Sequence, residues 1–387
     1  MFHFDEIIDR GNTNSMKYDA GPSIHPDLPA GYLPMWVADM DFACPQPILD
    51  AMKARIDRRI LGYSIISDPE YYDIVVKWMK RRHGWDTSPS RILFSPGVVD
   101  AMHTCVEQLT SAGDGILLMT PSYSPFDAAI KAKGRTPVYC RLPFHDGHYS
   151  IDFADFEQKA AHPDTTLFFL CNPHNPTGRV WSHEELDRIA EICLGNNVFI
   201  VSDDIHADIV RSEFRYTPLA TRIPGEKRLI TLTAPSKTFN IAGNQLSNII
   251  FEDDALAYDW RRRNVIATHP NPLSIDACKA AYTLCDDWVD ALNEYLDGNF
   301  AYLSEKLREL LPKAVMSAPE GTYVAWIDLG QYMIPVQELK RRVSRNGLFI
   351  QYEDDFVAHG EGFVRINLAC PRSLIDLAVD RLAASVR

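Results

Sequence analysis

Val198-Phe199-Ile200-Val201-Ser202-Asp203-Asp204 is an apolar run that stops abruptly in acids, and Leu229-Ile230-Thr231-Leu232 repeats the pattern ahead of Ala234-Pro235-Ser236-Lys237. Each run is short, contains β-branched residues and is bounded by polar ones, so each reads as a buried strand with its polar groups gathered at one end. Working outward, the runs at 92–94, 116–119 and 167–170 read the same way. Helical patterns separate them. Val99, Met102, Val106 and Leu109 recur at helical spacing, and Ser182 with Glu185 forms a capping box ahead of Leu186, Ile189, Ala190 and Cys193. Strand and helix alternating from residue 91 to about 251 predict right-handed βαβ units and a mostly parallel sheet, hence an α/β core.

The flanks read differently. Residues 1–34 carry Pro22, Pro26, Pro29 and Pro34 among Gly and Asn, which predicts an extended arm packed on the body or on a partner. One helix should start at Pro47 and another should run over about 69–82. Trp288, Leu292, Leu296, Leu303, Leu307 and Leu310 keep to one stripe, which predicts a long linking helix over about 286–311. Beyond it the chain reads as strand 323–329, helix 335–346, strands 348–351 and 363–368 and a final helix 372–386. The expected division is 1–46 as arm and part of a small domain, 47–285 as a large domain, and 286–387 as linking helix and small α+β domain.

Composition narrows the function classes. The 387 residues are 46% apolar and 24% charged, enough to bury a large core. Lys and Arg number 39 against 52 Asp and Glu, and the net charge of -13 offers no general attraction to nucleic-acid phosphates or anionic lipid. Neither nucleic acid nor membrane is an expected partner, and no apolar run nears the roughly 20 residues of a spanning helix. Met1-Phe2-His3-Phe4-Asp5-Glu6 shows no basic segment followed by an apolar one, so a cytoplasmic location is expected. The eight cysteines form no CxxC pair and the twelve histidines no HExxH spacing, so neither disulfides nor a metal site is expected. His145 and His148 read as loop surface.

Ligands of open α/β sheets bind beyond the carboxyl ends of the strands, so the residues there can be read as one site. Gly97-Val98-Val99 turns into a helix whose free N–H groups suit a phosphate. Tyr123 could lie against a planar ring, Asn172-Pro173-His174-Asn175-Pro176-Thr177-Gly178 holds two amides, and Asp203 and Ser236-Lys237 follow buried strands. Taken singly, each has an ordinary structural explanation: a turn, a rim aromatic, a backbone cap, a solvated lysine. Their succession at the ends of consecutive strands favours one site for a phosphorylated aromatic aldehyde.

These motifs resemble the fold type I pyridoxal 5'-phosphate (PLP) enzymes of the aspartate aminotransferase superfamily, over essentially the whole chain. Trp36-Val37-Ala38-Asp39-Met40-Asp41-Phe42, the Asn172 to Gly178 turn, Ser202-Asp203-Asp204-Ile205-His206 and Ser236-Lys237-Thr238-Phe239-Asn240 are similar to the cystathionine β-lyase (MalY/PatB) branch. The resemblance implies a large domain with a mostly parallel seven-stranded sheet and a small α+β domain drawn from both termini. It further implies that Lys237 attaches the cofactor aldehyde, Asp203 pairs with the pyridine nitrogen, and Tyr123 stacks on the ring. Asn175 and His206 would bond the phenolic oxygen. Gly97, Val98, Val99 and Ser236 would hold the phosphate, joined by Tyr63 from a second subunit of a homodimer. Arg365 would clamp the substrate carboxylate, with Ala38, Asn175 and Tyr63 beside the substrate. Gln245 stands where many aminotransferases have an arginine, so phosphate compensation should rest on the helix dipole and neutral donors. The implied reaction is β-elimination of cystathionine or another S-substituted cysteine to thiol, pyruvate and ammonia. An aminotransferase and a non-catalytic PLP-binding regulator are the alternatives.

Overall fold

The seven strands of the central sheet are β1 (Ile92–Ser95), β2 (Gly115–Thr120), β3 (Thr136–Arg141), β4 (Thr165–Cys171), β5 (Phe199–Asp203), β6 (Leu229–Thr233) and β7 (Ser247–Phe251). In space they run β1-β7-β6-β5-β4-β2-β3. The computed structural model describes residues 2–66, 69–263, 269–357 and 362–387. Strand β7 is antiparallel to both neighbours, while β6-β5, β5-β4, β4-β2 and β2-β3 pair in parallel. Parallel order follows from the intervening helices, which carry the chain back across a face before each new strand.

Both faces of the sheet are covered. Phe168 and Leu170 of β4 enter one apolar core and Leu167 and Phe169 the other, the two-residue alternation of a strand buried on both sides. The helix Val98–Leu109 packs Ala101, Met102, Cys105 and Val106 on the second face. On the first, the helix His183–Gly195 presents Leu186, Ile189 and Cys193, and its predicted capping box is formed by Ser182 and Glu185.

The helix Asp286–Leu310 joins two cores: Trp288, Leu292 and Leu296 pack in the large one, Phe300, Leu303 and Leu307 in a separate one. That second core also holds Leu33, Met35, Val364, Ile366, Val379 and Leu382. Its antiparallel sheet runs Val315–Met316, Val324–Asp328, Phe363–Asn367, Gln351–Tyr352. Leu33–Pro34 pairs in parallel with Leu348–Phe349, so the N-terminal arm is stitched to the C-terminal region by backbone hydrogen bonds.

Three details depart from the sequence reading. The arm is not wholly extended, because Met16–Asp19 and Gly21–Ile24 form one-turn helices around Lys17, whose buried ammonium meets Asp41 at 2.7 Å. His145 and His148 stand opposite each other in a small hairpin, and His148 Nδ1 approaches Glu320 Oε1 at 3.7 Å, rather than lying in free loop. The run at 348–351 is split at Ile350 between two different sheets. Helices Asp254–Arg263 and Pro272–Leu284 lacked a pattern strong enough to be read.

Candidate active site

Beyond the carboxyl ends of β1, β4, β5 and β6 lies a cavity of about 300 Å³. Ala38, Gly97, Val98, Val99, Tyr123, Asn175, Asp203, His206, Ser236, Lys237 and Arg365 all line it. Tyr63 does not. It is 98% exposed and meets the ring of His269 at a centroid distance of 5.9 Å.

Lys237 sits in a one-turn helix directly after β6, and its Nζ donates to the Ala38 carbonyl at 2.5 Å. Burial pushes its pKa down to about 8, helped by the Arg365 charge and opposed by Asp39 and Asp203. Asp203, the last residue of β5, is 4% exposed. Burial raises its carboxyl to about 7, with Asp204 adding to the rise, while the Ile205 N–H, 3.1 Å from Oδ1, and the Lys237 charge pull the other way. An amine whose charged form is disfavoured by burial and a carboxyl costly to ionise thus share one pocket.

The residues present fit a pyridinium cofactor. A cationic ring nitrogen would give Asp203 the counter-charge that its surroundings leave incomplete. His206 is buried, its pKa lowered to about 3 chiefly by burial, and its Nδ1 has no hydrogen-bond partner among the described residues. At the other end, Gly97 is the N-cap of a twelve-residue helix and supplies no side-chain cap, which leaves the first N–H groups for an anion. A Cβ at Gly97 would stand 3.0 Å from Asp100 Oδ2.

The Asn172 to Gly178 turn is held rigidly. His174 Nδ1 and Thr177 Oγ1 meet at 2.8 Å, and the Gly178 N–H donates to the His174 carbonyl at 2.8 Å. Gly178 has φ +79°, a left-handed conformation that glycine adopts without a Cβ penalty. Arg179 fastens the turn through Glu320 at 2.9 Å and Glu185 at 2.8 Å. Asn175 is thereby aimed at Arg365, whose Nη1 donates to Asn175 Oδ1 at 2.9 Å.

Several participants escaped the sequence reading. The acids of the Trp36 to Phe42 motif are structural: Arg10 meets Asp39 at 2.6 Å and Asp41 at 3.0 Å, and Lys17 meets Asp41. Asn367 Nδ2 donates to the Val37 and Asp39 carbonyls, 2.7 Å each, and the Tyr323 hydroxyl donates to the Ala38 carbonyl at 2.8 Å. Beside Gln245, which the sequence singles out, Met16 and Gln351 also line the cavity. No local motif marks these residues, because each is joined to the site only through space.

Fold and site together define an α/β enzyme that keeps a lysine of lowered pKa and a buried aspartic acid at the ends of adjacent parallel strands. The chain belongs to the aminotransferase class I and II family, which it matches over residues 33–382. It is 38% identical over 389 residues to cystathionine beta-lyase PatB of Bacillus subtilis (strain 168), covering 99% of this chain and 100% of that protein. To protein MalY of Escherichia coli (strain K12) it is 30% identical over 392 residues, covering 100% and 99%. The PLP-bound C-S lyase from Staphylococcus hominis superimposes with a TM-score of 0.94 at 38% identity, covering 100% of this chain and 98% of that one. Among the described residues, no helix is long and apolar enough to cross a membrane, and no cluster of three or more His, Cys, Asp or Glu is arranged to hold a metal ion.

Proposed function

We propose that this chain is a PLP-dependent carbon–sulfur lyase that eliminates a thiol from the β-carbon of L-cystathionine or a related S-substituted cysteine, leaving pyruvate and ammonia. The observation that carries the reading is the Lys237 amine, its pKa lowered to about 8, sharing a cavity with buried Asp203 and buried Arg365. Likeness over the full length to cystathionine β-lyases and a C-S lyase supports the same reaction. When bound, the cofactor supplies a pyridinium ring that draws off the electron pair released at the substrate α-carbon.

The protein's own groups do the rest. Lys237 would hold the cofactor aldehyde, and its Nζ is the base that would take the substrate α-proton; a pKa of about 8 suits such a general base near neutral pH. Asp203 keeps the ring nitrogen protonated. Tyr123 would pack on the ring, and Asn175 and His206 would bond its phenolic oxygen. The N–H groups of Val98 and Val99 and the Ser236 hydroxyl hold the phosphate, and Gln245 leaves that charge to them and the helix dipole. Arg365 fixes the α-carboxylate through its planar fork.

In this reading the working unit is a cytoplasmic homodimer. Tyr63, in the exposed apolar stretch Ile60-Leu61-Gly62-Tyr63-Ser64-Ile65, reaches the partner's site. Residues 1–46 serve as arm and part of the small domain, 47–285 as the cofactor-binding domain and 286–387 as linking helix and small domain. The test is incubation with cystathionine in the absence of a keto acid. Multiple turnovers to pyruvate, thiol and ammonia are expected; stoichiometric conversion of cofactor to its amine form without pyruvate would make the chain an aminotransferase instead.

A further inference from the structure

Arg365 is anchored without being neutralised. Nη1 donates to Asn175 Oδ1 at 2.9 Å, and Nη2 donates to the Trp36 carbonyl at 3.0 Å and to Gln351 Oε1. Among the described residues these acceptors are all neutral amide or carbonyl oxygens. The side chain is 2% exposed, so the guanidinium has given up most of its water; it lies over the Phe356 ring at 5.0 Å and feels the Asp355 charge only from a distance, and among the described residues no carboxylate pairs with it directly. A buried cation in that state strongly favours an anion that can reach it.

Gln351 is the acceptor best placed to move aside. It stands directly opposite Arg365 in the antiparallel strand pair, is only half-buried, and lines the cavity beside it. Asn175 and Trp36, by contrast, belong to segments pinned on both sides, the first by the Arg179 ion pairs and the second by the Trp36 indole, which donates to the Lys17 carbonyl at 3.0 Å. A glutamate of the same shape at 351 would reach the same nitrogen, form a charge-assisted pair and close the clamp from within.

We propose that Gln351 is a neutral placeholder on the clamp: its amide oxygen occupies Nη2 of Arg365 in the free enzyme and yields that nitrogen to the α-carboxylate of the incoming amino acid. Position 351 therefore sets specificity for a carboxylate-bearing substrate through its lack of charge. The proposal rests on the lyase reading for the identity of the amino acid but not for the existence of the carboxylate site.

The experiment measures binding of propionate, a bare carboxylate, to the holoenzyme by calorimetry, alongside kcat and KM for S-methyl-L-cysteine. Gln351→Glu should weaken propionate at least about tenfold, the scale of one charge-assisted hydrogen bond, and raise KM by a similar factor with kcat little altered. Gln351→Met, of similar shape but with no competing oxygen, should bind propionate more tightly than wild type. Wild-type affinity in Gln351→Glu, or weakened binding in Gln351→Met, would overturn the placeholder. Should Gln351→Glu not fold, Gln351→Met alone decides. If wild type binds propionate as described yet yields no pyruvate, the lyase reading fails while the clamp assignment stands.

Discussion

The Lys237 amine can be titrated directly. Its pKa is lowered to about 8 from the ordinary 10.5, first by burial and then by the Arg365 charge. At pH 8 half of this amine is neutral, against roughly one part in 300 for a lysine at 10.5, so the neutral fraction is about 150 times larger. That ratio sets the upper bound on its acylation advantage over a free lysine of equal access, because a less basic amine is also a weaker nucleophile. The assay is brief exposure of cofactor-free protein to an N-hydroxysuccinimide ester from pH 6 to 11. Mass spectrometry of the Lys237 peptide follows, with an unstructured lysine peptide as internal reference for access and reagent decay. Labelling should rise through a midpoint near pH 8 and then level. Asp39 supports the charged form, so Asp39→Asn should move the midpoint lower still. A midpoint at or above about pH 10 in wild type would show that burial does not depress this amine, and its role as general base near neutrality would fall with it.

Three further outcomes are expected. Asp203→Asn should stabilise the cofactor-free protein at high pH: the folded carboxyl titrates near 7 rather than at the ordinary 3.8, so wild-type stability is lost as pH rises through that window. The variant's advantage should reach roughly 2–4 kcal/mol above pH 7 and vanish below about pH 4 in chemical denaturation, which checks the sign as well as the size. Arg365→Ala should raise KM by at least about tenfold with a smaller effect on kcat, because the carboxylate interaction is present in ground and transition states alike, and steady-state kinetics with a cysteine thioether will read it. Asp41→Ala leaves the fully buried Lys17 ammonium without its carboxylate and should cost about 3 kcal/mol in a urea midpoint series.

Legibility followed the range of the interactions. Strands β1, β2, β4, β5 and β6 announce themselves because a buried strand needs several consecutive apolar residues, and the helix after Ser182 because its capping residues lie three positions apart. Strand β3, an edge strand reading Thr136-Pro137-Val138-Tyr139-Cys140-Arg141, has no such run and escapes the sequence reading. Asn175, Asp203 and Lys237 could be found for the same reason: each directly follows or ends such a strand. The anchoring of the arm was not legible. Arg10 and Lys17 pair with acids more than twenty positions away, and no periodicity ties those positions together. Tyr63 illustrates the other limit: it is almost fully exposed and lies outside the cavity, so its expected place beside the cofactor rests on the proposed second subunit alone.

What the chain's order of residues determined alone is the parallel α/β scaffold and the alignment of an aromatic, an amide, an acid and a lysine along one edge of it, since both arise from contacts within a few residues. Tertiary structure decided the chemistry those groups can perform. Lys237 loses affinity for its proton and Asp203 gains it because of which distant side chains exclude water around them, and Arg365 keeps an available charge because the oxygens it donates to are neutral. Desolvation and through-space charge have no counterpart in linear spacing.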